Sequence, residues 1–333
     1  MNDQSPRRYK GTLVERAAAQ FHYAPIAPVP PAERPAPPVQ PPAPPAAEPA
    51  PVPEVFQESS PGLRLGEVAA QLPPEPQIAT AGNLARRTAP IDRQALAKAG
   101  MLVPGATITS LAEEFRMVKR QLLLTARAVA AKETARAADR ARMILVCSAQ
   151  PNEGKTFCAI NLALSMSTEK DVEILLVDAD FAKPDVLDRL GIPSGPGLLD
   201  ALAGAVSNVE ECIIDTDVPQ LSVLPAGTRT NMDTELLASD RARAILDGLA
   251  AANPRRIVIF DSPPALAASP ASVLALHVGQ VMLVVRADQT SESDLKEAVS
   301  TLDGCEHIQL VLNSVSFQPR GRRFGSYYEE MSQ

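Results

Sequence analysis

The chain has 333 residues, 32 of them proline, and a formal net charge of −7 at pH 7. That acidic balance argues against a nucleic-acid partner, since such domains carry a basic excess, and no apolar stretch reaches the ~18 residues needed to cross a bilayer. The N-terminus lacks a signal-peptide core and the four cysteines stand apart with no C-x-x-C pair, so the composition reads as a soluble, cytoplasmic chain with reduced, buried thiols.

In chain order, the first candidate element is a short amphipathic helix in "GTLVERAAAQFHY", within an N-terminal segment spanning 1–24. A tract follows in which 14 of the 29 residues from Pro25 to Pro53 are proline. It has too few large apolar groups to offset the entropy of ordering. Residues 25–104 are therefore expected to be a disordered, polyproline-leaning linker, with "IDRQALAKAGML" (91–102) as a short helix inside it.

From Ser110 the pattern tightens. Leu111, Phe115, Val118, Leu122 and Ala126 recur at helical spacing over 110–130, and Ser110 with Glu113 reads as a capping box at the start of that helix. Apolar runs then appear in turn: "MILVC", "EILLVD", "LSVLPA", "RIVIFD", "VMLVV" and "IQLVLN". Helical stretches such as "TELLASDRARAILDGLAAA" and "SESDLKEAVSTLDG" lie between most of them. Strands this uniformly apolar are buried on both faces, and helical crossovers make them parallel, so a doubly wound, mostly parallel α/β sheet is expected over 105–313, with 314–333 as a flexible tail. Ligands of such sheets bind beyond the carboxyl ends of the strands.

At the end of the first of these runs stands "AQPNEGKT", which fits [AG]-x-x-x-x-G-K-[ST] with Ala149 at its first position. A strand, this loop and a helix opening near Gly154 are the setting of a P-loop NTPase. Backbone N–H groups from Gln150, Pro151 (which lacks one), Asn152, Glu153, Gly154, Lys155, Thr156 and Phe157 would line a polyphosphate, with the helix dipole adding positive potential. Lys155 would reach the β- and γ-phosphates of ATP and the Thr156 hydroxyl would complete a Mg2+ shell, while Asn152 suits a positive φ. Two other apolar runs end in acid: Asp178 and Asp180 in "ILLVDADFAKP", and Asp261 in "RIVIFDSPP". Three carboxylates converging beside a phosphate lysine read as Mg2+ ligands or water orienters, plus one base near the attacking group.

These residues resemble the bacterial tyrosine autokinases of exopolysaccharide synthesis. "SAQPNEGKT", "LLVDADFAKP" and "IVIFDSPPAL" match that family in order and spacing, and "LVERAAAQF", "EEFRMVKRQLL", "LDRLGIPSGPGLLDAL", "LSVLPAG" and "TELLAS" are similar to its exosortase-associated branch. The resemblance implies ATP and Mg2+ as cofactors, Lys155, Asp178 and Asp180 as catalytic residues with Asp178 as the base, Asp180 and Asp261 organising the metal and its waters beside Thr156, and Asn313 among the nucleotide contacts. It further implies acceptor tyrosines on the C-terminal tail, here Tyr327 and Tyr328 in "RRFGSYYEEMSQ". A helical E-x-x-R-x-x-R contact between subunits of a homo-oligomer maps to Glu113, Arg116 and Lys119, three residues apart on one face. An inner-membrane polysaccharide chain-length regulator as activator and a cognate tyrosine phosphatase are the partners implied, placing the protein peripherally at the inner membrane. Ala182 and Pro270 depart from the family pattern. Two readings compete with the kinase: a positioning or partition ATPase, which would place an extra lysine early in the loop where Ser148, Ala149 and Gln150 stand, and a nucleotide-binding scaffold with little kinase activity.

Overall fold

The computed structural model describes residues 86–131 and 134–315. Eight strands follow one another: β1 (Arg87–Ala89), β2 (Met143–Ser148), β3 (Glu173–Asp178), β4 (Ile214–Thr216), β5 (Leu221–Leu224), β6 (Arg256–Asp261), β7 (Gln280–Arg286) and β8 (Ile308–Asn313). They form one sheet in the order β1-β4-β5-β3-β6-β2-β7-β8. Every pairing is parallel except β4 with β5.

The apolar runs become buried strands because both of their faces are covered. In β2, Met143, Leu145 and Cys147 enter one core while Ile144 and Val146 enter the other. In β6, Val258 and Phe260 divide from Ile257 and Ile259 in the same way. The helices that supply these two covers are, in order, α1 (Arg93–Lys98), α2 (Ser110–Ala130), α3 (Ala135–Ala141), α4 (Lys155–Met166), α5 (Val186–Leu190), α6 (Leu198–Leu202), α7 (Asp233–Leu237), α8 (Asp240–Ala251), α9 (Pro270–Ala275) and α10 (Glu292–Thr301). Leu96 of α1, Phe115 and Leu122 of α2, Ile160 and Leu162 of α4, and Leu190 of α5 close one side. Leu199 of α6, Leu237 of α7, Leu246 and Leu249 of α8, and Leu274 of α9 close the other. The expected doubly wound α/β architecture is the one observed. All four cysteines are free and buried, and among the described residues no helix is long and apolar enough to cross a membrane.

Three local expectations are corrected. The linker does not run to 104, because β1 pairs with β4 and Ile91, Leu96 and Met101 are buried in the core. Polar contacts hold this segment in place: Asp217 accepts from Ile91 N at 2.8 Å and pairs with Arg93 at 2.6 Å, and Asn161 accepts from Leu102 N at 2.7 Å. The helix over 93–98 falls inside the stretch expected for it. The cap of α2 is Thr109, not Ser110; Thr109 is extended and its hydroxyl accepts from Ala112 N at 3.2 Å. The stretch over 234–252 is two helices, because Ser239 leaves the helical region and caps α8 by accepting from Ala242 N. The N-terminal helix expected in 1–24, the tract from Pro25 to Pro53 and the tail tyrosines lie outside the described residues.

Candidate active site

The phosphate loop joins the carboxyl end of β2 to the N-terminus of α4, so its amides gather where the positive end of the helix dipole emerges. Two residues turn it through left-handed backbone, Asn152 at φ 64° and Gly154 at φ 96°. Glycine suits this left-handed position, and a Cβ on it would lie 2.1 Å from Asn313 Nδ2, so the amide would have to shift. That amide, at the end of β8, donates to Glu153 O at 2.8 Å and fastens the loop to the sheet. Glu153 is buried and turns into the loop: its carboxylate accepts from Gln150 N at 2.9 Å and from the Thr290 hydroxyl. Pro151 and Asn152 are exposed at the loop tip. Phe157 packs its ring against the core beneath α4, so only its backbone is left to the site.

Around Lys155 the three expected carboxylates converge. Lys155 Nζ pairs with Asp180 Oδ2 at 2.6 Å, and Asp180 also accepts from Lys183 N at 3.1 Å. Asp178 and Asp261 are register partners on neighbouring parallel strands, β3 and β6, which places both side chains at one sheet edge. Asp178 Oδ2 accepts from Val186 N at 3.1 Å, whereas Asp178 Oδ1 and both oxygens of the fully buried Asp261 have no hydrogen-bond partner. Thr156 is buried beside them.

Electrostatics follow from this geometry. Burial, reinforced by the Asp261 charge, pushes the Asp178 carboxyl up to about 8, against the pull of the Val186 amide. Burial likewise raises Asp261 to about 7, opposed chiefly by the Lys155 ammonium. For Lys155, burial acts downward but Asp261, Asp180 and Asp178 together outweigh it and hold the ammonium above its ordinary value. Three buried carboxylates around one lysine, with Asp178 Oδ1 and both Asp261 oxygens left unpartnered, suit a site that takes a cation and a polyanion. Among the described residues no group of three or more His, Cys, Asp or Glu side chains is placed to hold a metal by itself. Oxygen donors of Thr156, Asp180 and Asp261 could hold a Mg2+ ion together with a phosphate.

The structure also brings in residues that sequence reading missed. Arg286 Nη1 donates to Asn152 O at 3.2 Å, and Thr290 Oγ1 bonds Glu153 and accepts from Arg286 N at 3.0 Å, so the segment after β7 braces the phosphate loop. Arg229 Nη1 donates to Ala182 O at 3.1 Å, beyond the second acidic motif. The one signal for them was general, that loops after strand carboxyl ends line the site. Of the expected subunit contact, Glu113 and Arg116 form an exposed pair, but Lys119 is buried. Its ammonium bonds Ser165 O and Thr168 Oγ1, each at 2.9 Å, and pairs with Glu169 at 2.7 Å, so it joins α2 to the end of α4.

Comparison with known proteins agrees with this geometry. A family model described as an AAA domain matches residues 141–313. Tyrosine-protein kinase YwqD of Bacillus subtilis is 30% identical over 165 residues, 50% of this chain and 68% of that protein. Tyrosine-protein kinase wzc of Salmonella typhimurium is 28% identical over 189 residues, 56% of this chain and 26% of that protein. Against such longer relatives the chain spans only about a quarter of their length. In fold, the kinase domain of Escherichia coli tyrosine kinase ETK superposes with a TM-score of 0.53 at 23% identity, over 71% of this chain and 93% of that one.

Proposed function

Since the chain belongs to the AAA-domain family of P-loop proteins, and within it to the bacterial tyrosine-protein kinases, we propose that it transfers the γ-phosphate of ATP to tyrosine hydroxyls, foremost Tyr327 and Tyr328 of its own tail. The observation that carries this reading is the pairing of a built phosphate loop with a dry carboxylate, Asp178, that keeps one oxygen unpartnered beside it. Loop amides and Lys155 would hold the β- and γ-phosphates, with Lys155 exchanging Asp180 for phosphate oxygens. Thr156, Asp180 and Asp261 would hold Mg2+, which when bound supplies neutralisation of charge on the transferring group. Asp178 Oδ1 would accept the tyrosine proton. A base whose pKa lies near the working pH is suited to take that proton late, as the bond to phosphorus forms.

The absence of a lysine at Ser148, Ala149 or Gln150 speaks against a partition-type ATPase. A homo-oligomer, activation by an inner-membrane chain-length regulator, reversal by a tyrosine phosphatase and a role in exopolysaccharide polymerisation or export complete the proposal; the motif resemblance supports them. With the tail as acceptor, 314–333 remains the proposed substrate segment, and Glu113 and Arg116 remain the proposed subunit contact. The test is phosphotyrosine on the full chain after incubation with Mg·ATP, compared with Lys155→Met. Loss of signal in the variant is expected, and undiminished signal would remove the site assignment.

A further inference from the structure

Two guanidiniums stand at the mouth of this site, each donating to a backbone carbonyl. Arg229 is 61% exposed in its side chain, donates to Ala182 O at 3.1 Å, and has Asp233 only at 3.9 Å. Both Thr230 bonds, from its amide at 2.8 Å and its hydroxyl at 2.9 Å, go to Asp233 Oδ1, while Oδ2 is the oxygen that faces Arg229. Arg286 donates to Asn152 O at the tip of the phosphate loop. A carbonyl orients a guanidinium without neutralising it, so both keep their charge toward solvent. Strand order places them on either side of the crevice. Ala182 follows β3 and Arg286 ends β7, while β6 with Asp261 and β2 with the loop lie between.

Inside the crevice the charge is opposite. Asp178, Asp180 and Asp261 face one lysine, and a bound nucleotide would add further negative charge. An acidic acceptor segment would be repelled by that interior unless the rim compensated it. The segment this chain offers is acidic: Tyr327 and Tyr328 are followed directly by Glu329 and Glu330. Neighbouring strands are ~4.8 Å apart and an extended peptide advances ~3.3 Å per residue. Glutamates one to three residues beyond a tyrosine held at the centre therefore fall at about the one or two strand spacings that separate the centre from the rim.

We propose that Arg229 and Arg286 form a specificity rim that recognises acidic residues on the C-terminal side of the acceptor tyrosine, making acidic tyrosine peptides the preferred substrate class. The proposal rests on the kinase reading for its direction, but its binding step can be measured without transfer. Labelled peptides FGSYYEEMSQ, FGSYYQQMSQ and FGSYYKKMSQ are titrated with the full chain in Mg2+ and a non-hydrolysable ATP analogue, and their phosphorylation by Mg·ATP is followed separately. The glutamate peptide should bind about three- to tenfold tighter than the glutamine peptide, the scale of two exposed charge pairs, and raised salt should erase the difference. Arg229→Ala should reduce that ratio, a double Arg229→Ala, Arg286→Ala variant should bring it to about one, and Arg229→Glu should favour the lysine peptide. The reversal separates recognition from mere support of the loop at Ala182. Equal affinity for the glutamate and glutamine peptides, no binding of either, or a ratio that survives the double variant would overturn the rim. Charge-selective binding without phosphate transfer would instead remove the kinase reading and leave the rim standing, while transfer to both peptides with equal KM would do the reverse.

Discussion

At the scale of single residues, the site stores unfavourable charge. Asp178 and Asp261 hold their protons more tightly in the folded chain than the ordinary carboxyl value of 3.8, so the native state binds more protons than the unfolded state between about 4 and about 8. Stability of the nucleotide-free protein must therefore fall as pH rises through that window. Asp261→Asn, which never ionises, should flatten the decline and raise the melting temperature at pH 8 by at least about 2 °C; a melting curve unchanged from the parent at both pH 5 and pH 8 would contradict the burial argument. Asp178→Asn should leave nucleotide affinity within a few-fold of the parent yet slow transfer by about 10² or more, the usual scale for a lost general base. Collapse of nucleotide binding in that variant would make Asp178 a structural or metal residue. Lys155 and Thr156 could be found in the sequence through the Gly-Lys-Thr of the phosphate loop, and Asp178, Asp180 and Asp261 because they close or closely follow strand signals. Arg229, Arg286 and Thr290 could not, since each reaches the site through a contact more than 40 residues away in the chain, with no local pattern to mark it.

At the scale of elements, the two glycines in or beside helices make opposite predictions. Gly154 caps α4 in the left-handed region, and a Cβ there meets the Asn313 amide that fastens the loop. Gly154→Ala should keep the fold and weaken nucleotide binding by about tenfold, the equivalent of the ~1–2 kcal/mol cost of left-handed backbone. Gly248 lies within α8 with nothing within 4 Å of a built Cβ, so Gly248→Ala should stabilise the protein by about 0.5–1 kcal/mol in chemical denaturation. The long apolar strands were legible because burial on both faces leaves an unbroken run of Val, Ile and Leu. Strands β1 and β4 were not. Each is three residues long, and β1, reading Arg-Thr-Ala with two exposed positions, has no periodicity to detect. It is a strand because β4 offers it an edge, a tertiary cause absent from local sequence.

At the scale of the whole molecule, the domain begins earlier than composition suggests, and charge pairing explains how. Glu210 pairs with Arg86 just before β1 and with the buried Arg256, whose Nη1 lies 2.5 Å away and also donates to Leu249 O. Glu210→Ala would leave Arg256 buried without its carboxylate and should cost about 3 kcal/mol or more by denaturation, as breaking a buried pair does. A change below about 0.5 kcal/mol would show that the N-terminal segment is held without the Glu210 ion pairs. In sequence the tail follows β8, whose Asn313 bonds the phosphate loop. That tail is the proposed acceptor, and transfer between copies is the proposed route. The direct measurement mixes a Lys155→Met chain that keeps its tail with an active chain carrying Tyr327→Phe and Tyr328→Phe, adds Mg·ATP, and maps phosphate by mass spectrometry. Phosphate on Tyr327 or Tyr328 of the Lys155→Met chain, and none when that chain is incubated alone, is the predicted result; no phosphate on those tyrosines in the mixture, with the unaltered chain phosphorylating its own, would contradict it.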